Sequence, residues 1–151
     1  MNIDVMYSSK SNEWGTPQKF FNELNKEFKF TLDPCCNKEN AKCNKYYTKQ
    51  DDGLSKDWGG EIVFCNPPYG KDIKYWVEKC YKESLKHNTT VVMLMPARTD
   101  TKYFHDYIYH KAELRFIKGR LKFESPNVEK SQSAPFPSML VIFKQMNLII
   151  R

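Results

Sequence analysis

The sequence predicts an α/β fold in which helices and strands alternate and the last part turns antiparallel. Three observations carry that reading. Residues 89–95 form a continuous apolar and β-branched run that ends at Pro96, the pattern of a strand buried on both faces. Residues 61–65 form a shorter run of the same kind, ending at Asn66-Pro67-Pro68-Tyr69. Between the two runs, Ile73, Trp76, Val77, Cys80 and Ser84 recur at helical spacing, so strand, helix and strand follow in order.

The remaining elements fall around this unit. Residues 1–13 are polar and without periodicity, and read as a flexible lead to a single domain over 14–151. Thr16-Pro17 has the form of a helix start, with Thr as N-cap and Pro in the first helical position. Phe20, Phe21, Leu24 and Phe28 then predict a helix over 17–27. Residues 28–33 alternate as a strand that stops at Asp33-Pro34, a turn. From 35 to 60 the chain is polar and predicts loop, with a short strand at 45–48. The helix carried by Ile73 and its partners spans 72–86. Tyr103, Phe104, Tyr107 and Ile108 outline another short helix. Strands follow at 113–117, 121–124 and 139–144, the first two joined across Lys118-Gly119 as a hairpin that closes the fold. The Ser-, Pro- and Asn-rich stretch 125–138 reads as a long loop.

Composition narrows the function. At 151 residues the chain suits one domain and leaves no room for a separate target-recognition domain. Five cysteines, an odd number and without C-x-x-C pairs, fit neither a disulfide framework nor a zinc site. The polar opening residues read as no secretory leader, so the expected compartment is reducing and cytoplasmic. No apolar run approaches the roughly 20 residues that cross a bilayer. The net charge of +6 is uneven: residues 1–60 carry nine lysines and nine acids, whereas 61–151 carry fifteen basic and nine acidic residues. The excess is densest at 111–122, where Lys111, Arg115, Lys118, Arg120 and Lys122 stand against Glu113 alone. A basic stretch interleaved with aromatics suits a nucleic-acid partner.

The chemistry concentrates at Asn66-Pro67-Pro68-Tyr69. The preceding run places this turn at the carboxyl end of a strand, where open α/β sheets bind ligands. Two prolines fix φ and hold the residue before each away from helix. Asn66 offers a carbonyl acceptor and two donors. An exocyclic amine on a planar base fits such a turn: Asn66 and the Pro67 carbonyl accept its hydrogens and Tyr69 stacks on its ring.

Thr16-Pro17, Asp33-Pro34, Asn66-Pro67-Pro68-Tyr69 and Gly119-Arg120 with Phe123, in that order, resemble the small phage-type, Dam-like DNA N6-adenine methyltransferases, a branch of the S-adenosylmethionine-dependent amino-methyltransferases. The resemblance covers about residues 12–144. It implies a compact Rossmann-like class I methyltransferase sheet, mostly parallel with an antiparallel C-terminal hairpin, working without a metal in the cytoplasm of a bacterial host and of phage or prophage origin. It implies that Asn66, Pro67, Pro68 and Tyr69 form the catalytic turn. Thr16, Pro17, Asp33, Pro34 and Cys35 then line the methionine end of the methyl donor, and Asp51 or Asp52 with Leu54 contact its adenine. Phe123 packs on the flipped base, with Arg98, Lys118, Arg120 and Lys122 facing DNA. The Gly-rich turn of the broader class is absent after Asp33-Pro34, where Cys35-Cys36-Asn37 stands instead.

The implied reaction is methyl transfer from S-adenosylmethionine to the N6 amine of adenine in DNA, after the base has left the stack. Asn rather than Ser in the first place of the turn favours adenine over cytosine. Two other readings share features with the sequence. One is a protein glutamine N5-methyltransferase, which carries the same turn but an intact Gly-rich motif. The other is a non-catalytic nucleic-acid-binding module on a methyltransferase fold.

Overall fold

A computed structural model describes residues 14–124 and 132–145. The expected lead at 1–13 and part of the loop over 125–138 lie outside the described residues. In chain order the elements are helix α1 (Gln18–Phe28), strands β1 (Leu32–Asp33) and β2 (Lys45–Tyr46), a 3-10 turn (Gly53–Ser55), strand β3 (Ile62–Cys65), helix α2 (Ile73–Ser84), strand β4 (Thr90–Pro96), a π-helical turn (Phe104–Ile108), and strands β5 (Glu113–Phe116), β6 (Lys122–Phe123), β7 (Gln132–Ser133) and β8 (Ser138–Phe143). Six strands form one sheet in the order β2-β1-β3-β4-β8-β5, and β6 and β7 form a separate two-stranded ladder.

β2, β1, β3 and β4 are parallel neighbours, whereas β8 runs antiparallel to both β4 and β5. β5 is therefore parallel to β4, and the carboxyl ends of β1 to β5 share one edge of the sheet. The chain leaves β1 outward to β2 and returns to β3 on its other side. The strand order thus reverses between β1 and β3, the position where open sheets of this kind form a crevice at their carboxyl edge.

β3 shows how the two faces are covered. Phe64 packs edge-on against Phe21 of α1, with ring centroids 5.1 Å apart. Its neighbour Cys65 points the other way, as strand alternation requires, and meets Cys80 of α2. The two helices therefore sit on opposite faces. In α2 the residues read as one apolar face, Ile73, Trp76, Val77, Cys80 and Ser84, are all buried. Trp76 also stacks on Trp58, at 6.5 Å and 22°.

The hairpin expected across Lys118-Gly119 is corrected by the pairing. Gly119 does take the left-handed conformation, with φ 75°, but it leads the chain out of the main sheet. β5 pairs with β8, and β6 pairs with β7. Burial explains the exchange: all six residues of β8 are buried, against a mostly accessible β5. A strand apolar on both faces gains most from a central place, and β8 takes it between β4 and β5. Part of the expected loop over 125–138 is thus strand β7, and the strand expected over 28–33 contracts to two residues.

Thr16 does not cap α1 either. The helix begins at Gln18, position 17 provides no side-chain cap, and the Gln18 N–H donates instead to the Glu124 carboxylate at 3.2 Å. That contact comes from 106 residues away in sequence, beyond any local capping signal.

Gly53 ties the β1 tip to the following loop. A Cβ at this position would lie 2.1 Å from the Pro34 carbonyl oxygen, and the Gly53 carbonyl accepts the indole N–H of buried Trp58 at 3.0 Å. The first contact requires the loop to lie flush on Pro34, and the second ties it to the core. Gly53→Ala is expected to destabilise the fold by about 1–3 kcal/mol, the usual cost of overpacking a closed contact, read as a lower urea midpoint at unchanged slope.

Candidate active site

The turn after β3 is joined by hydrogen bonds to two segments that are distant from it in sequence. Asn66 Nδ2 donates to the Trp14 carbonyl and, at 2.9 Å, to Thr16 Oγ1. The Tyr69 hydroxyl lies 2.5 Å from Asn66 Oδ1 and 3.0 Å from the Leu94 carbonyl of β4. The amide orientation follows from chemistry as well as from coordinates. The Trp14 carbonyl can only accept, so nitrogen must face it and oxygen must face the phenol.

The phenol has one proton for two acceptors, Asn66 Oδ1 and the Leu94 carbonyl. Among the described residues no N–H donates to the Pro67 carbonyl. The turn is therefore rich in acceptors and short of donors. A ligand that brings two N–H groups on one nitrogen satisfies that deficit.

Aromatic rings cover the turn. The Tyr69 ring, only 6% exposed, packs edge-on against Phe136 at 5.5 Å and Phe123 at 6.2 Å. Trp14 packs edge-on against Phe123 and Phe136, at 5.5 and 5.4 Å. Burial pushes the Tyr69 phenol well up from its ordinary range, so it remains a neutral donor. Phe123 is 2% exposed. Phe136 and Trp14 were not among the residues that the sequence singled out. The available signal for Phe136 was an aromatic enclosed by Pro135 and Pro137 just ahead of a buried strand.

The second group gathers at the tip of β1, across the reversal point from Asn66. Asp33 is 4% exposed, and its two carboxylate oxygens accept the backbone N–H groups of Cys35 at 3.3 Å and Lys42 at 3.0 Å. Burial raises its pKa, and those two N–H groups hold part of the shift back. Ionised Asp33 thus costs the folded chain stability above its raised pKa, and the cost falls away as pH drops through that value. Pro34 is buried against Gly53, and Cys35 is half-buried.

The expected pair Asp51 and Asp52 divides. The Asp51 carboxylate accepts the Thr48 N–H and hydroxyl at 2.8 and 3.0 Å, which holds its pKa down. Asp52 is exposed and takes the left-handed conformation, with φ 57°. Leu54 packs half-buried against the core. Pro17 stands at the head of α1 beside Thr16.

Arg98, Lys118, Arg120 and Lys122 are all exposed. Arg98 follows β4 and the other three follow β5, so they share the carboxyl edge with Asn66. Lys71 and Lys74, just past the turn, join them. Among the described residues none of these six cations makes an ion pair, whereas Lys26, Lys45, Lys79, Lys82, Lys86, Lys102, Arg115 and Lys144 do. Also among the described residues, no cluster of His, Cys, Asp and Glu could hold a metal ion, and no helix is long and apolar enough to cross a membrane.

Comparison with known proteins gives the chain's family. The chain is 31% identical over 140 residues to a DNA N-6-adenine-methyltransferase of Haemophilus phage HP1, covering 90% of this chain and 80% of the relative. It is 33% identical over 111 residues to a DNA N-6-adenine-methyltransferase of Escherichia phage T1, covering 72% of this chain and 45% of that longer protein. The model of the family described as DNA N-6-adenine-methyltransferase (Dam) matches residues 5–150. With nearly the whole chain matched, the protein belongs to the DNA N-6-adenine-methyltransferase (Dam) family.

Proposed function

We propose that this chain transfers the methyl group of S-adenosylmethionine to the N6 amine of adenine in DNA, with the target base turned out of the helix. The observation that carries the reading is the Asn66 amide oxygen, oriented by hydrogen bonds and set on a stiff turn at the reversal point of the sheet. The family membership and the two phage relatives support the same reaction, and fit a phage-encoded enzyme acting on DNA inside a host cell.

The residues at the β1 tip suit the donor. Asp33 is a buried carboxylate that meets a cationic ligand with little competing water, and the Pro34–Gly53 contact leaves backbone bare where a side chain would stand off. Pro17, Cys35, Asp51, Asp52 and Leu54 complete the proposed lining, reaching it without a Gly-rich turn. When bound, S-adenosylmethionine supplies an electrophilic methyl group that leaves a neutral thioether behind.

The turn prepares the nucleophile. The N6 lone pair of adenine is conjugated with the ring and attacks poorly. Asn66 Oδ1 and the Pro67 carbonyl accept its two hydrogens, favour a tetrahedral nitrogen and aim the lone pair at the methyl carbon. Positive charge grows on that nitrogen as the bond forms, so both acceptors bind most tightly in the transition state. The surplus proton then leaves the methylated nitrogen to solvent. Pro68 keeps the turn rigid, and alignment supplies much of the remaining acceleration.

A base inside a duplex is out of reach of this turn, so it must be extruded and stacked. The base meets an aromatic cluster of Tyr69, Phe123, Phe136 and Trp14, in which Tyr69, Phe123 and Phe136 are buried and Trp14 is half-buried and offers ring surface. The unpaired cations of the carboxyl edge hold the flanking phosphates.

Incubation with labelled S-adenosylmethionine and duplex DNA, followed by nucleoside mass spectrometry, is expected to give N6-methyladenine. N4-methylcytosine, labelled protein or no product at all would overturn the assignment. Asn66→Ala is expected to lower turnover by at least about a hundredfold, the scale of losing one preorganised polar group, while calorimetry shows donor affinity unchanged.

DNA binding provides a separate check. Arg120→Ala is expected to weaken binding equally across sequences and to reduce the slope of log affinity against log salt by about 1. Lys26→Ala, which removes a cation already paired with Glu23, is expected to leave that slope unchanged.

A further inference from the structure

Asn66 can present either end of its amide to a substrate, and only one end is useful. An oxygen facing the base accepts the amine hydrogens, whereas a nitrogen facing it sets donor against donor. The side chain is held one way by two partners from the start of the described chain. The Trp14 carbonyl takes one Nδ2 hydrogen, and Thr16 Oγ1 takes the other at 2.9 Å. A carboxylate at position 66 would instead put oxygen against the Trp14 carbonyl, so this chain has built its site around an amide.

Thr16 is 3% exposed, and its hydroxyl serves the turn rather than the helix that follows it. The segment carrying it is pinned on both sides. Gly15 N–H donates to the Glu124 carbonyl at 3.0 Å and Gly15 C=O accepts the Glu124 N–H at 2.8 Å. A Cβ on Gly15 would come within 2.7 Å of that same Glu124 oxygen, so only glycine lets the two backbones approach this closely. Beyond Gly15, the Trp14 ring is anchored on Phe123 and Phe136. The Asn66 amide is therefore oriented against a braced piece of backbone and one hydroxyl.

We infer that Thr16 is a positioning residue for the reaction: its hydroxyl, together with the Trp14 carbonyl, consumes both Nδ2 hydrogens of Asn66 and thereby fixes Oδ1 toward the substrate amine. This rests on the proposed methyl transfer and departs from the expectation that Thr16 serves chiefly the methyl donor. A donor-lining residue acts on donor affinity. A residue that orients Asn66 acts on turnover once both substrates are bound.

The test compares Thr16→Val, which keeps the shape and loses the acceptor, with Thr16→Ser, which keeps the acceptor. Thr16→Val is expected to lower kcat at saturating donor and DNA by about 10- to 100-fold, the scale of a mis-set catalytic group. Its donor Kd by calorimetry should stay within about twofold, and Thr16→Ser should restore most of the turnover. Thr16→Ala carries the same comparison where Val disturbs folding. A second readout needs neither substrate. The two Nδ2 proton resonances of Asn66, assigned by their loss in Asn66→Ala, should be well separated in the wild-type protein and in Thr16→Ser. They should move toward solvent-exposed amide positions in Thr16→Val. Unchanged kcat in Thr16→Val, a fall in donor affinity matching the loss of kcat/KM, or unchanged amide resonances would overturn the inference. A wild-type protein that methylates no DNA would instead overturn the proposed reaction, leaving the resonance comparison standing.

Discussion

The hydrogen bonds of the Asn66 amide join what the sheet alone would leave apart. Through Nδ2 they reach the Trp14–Thr16 segment, and through Oδ1 and the Tyr69 phenol they reach the carbonyl of Leu94 in β4. Around that knot the aromatic rings of Trp14, Tyr69, Phe123 and Phe136 find their mutual edge-on contacts, each adding about 0.5–1.5 kcal/mol beyond the area it buries. A turn that needed only to end a strand would require none of these partners. Asn66 Oδ1 and the Leu94 carbonyl share the single Tyr69 proton.

Features whose cause is local were legible in the sequence. The apolar face of α2 follows from a 3.6-residue period, and the burial of β4 follows from an unbroken apolar run. The position of Asn66 at a strand tip follows from the short run before it. Features whose cause is distant were not legible. β8 has the same composition whether it ends a hairpin or sits centrally, and only its pairing with both β4 and β5 decides. Thr16 next to Pro17 has the pattern of a cap, yet Glu124 takes the helix N–H and leaves the Thr16 hydroxyl to Asn66. Phe136 showed nothing by period, because its role comes from lying beside Tyr69 in space.

Charge is sorted by pairing as much as by sequence position. The excess of cations in the second part of the chain suggested a polyanion partner, but several of those side chains are spent inside the protein: Arg115 forks onto both oxygens of Glu27 and also meets Glu113. Exposed pairs of this kind add little stability. Among the described residues, cations without an acidic partner remain at the carboxyl edge and also elsewhere, Lys29 and Lys111 among them.

The central place of β8 also bears on how the chain is made. β4, with Val91 to Met95 fully buried, has β3 on one side as soon as it forms, but its other edge stays open until residues 138–143 have been synthesised. During translation the most apolar strand of the protein therefore presents bare N–H and C=O groups along an unpaired margin, the geometry that invites strands from other chains. Residues 138–143 close this margin, so a chain truncated before β8 loses its safeguard against aggregation along with the pairing of its outer strand β5.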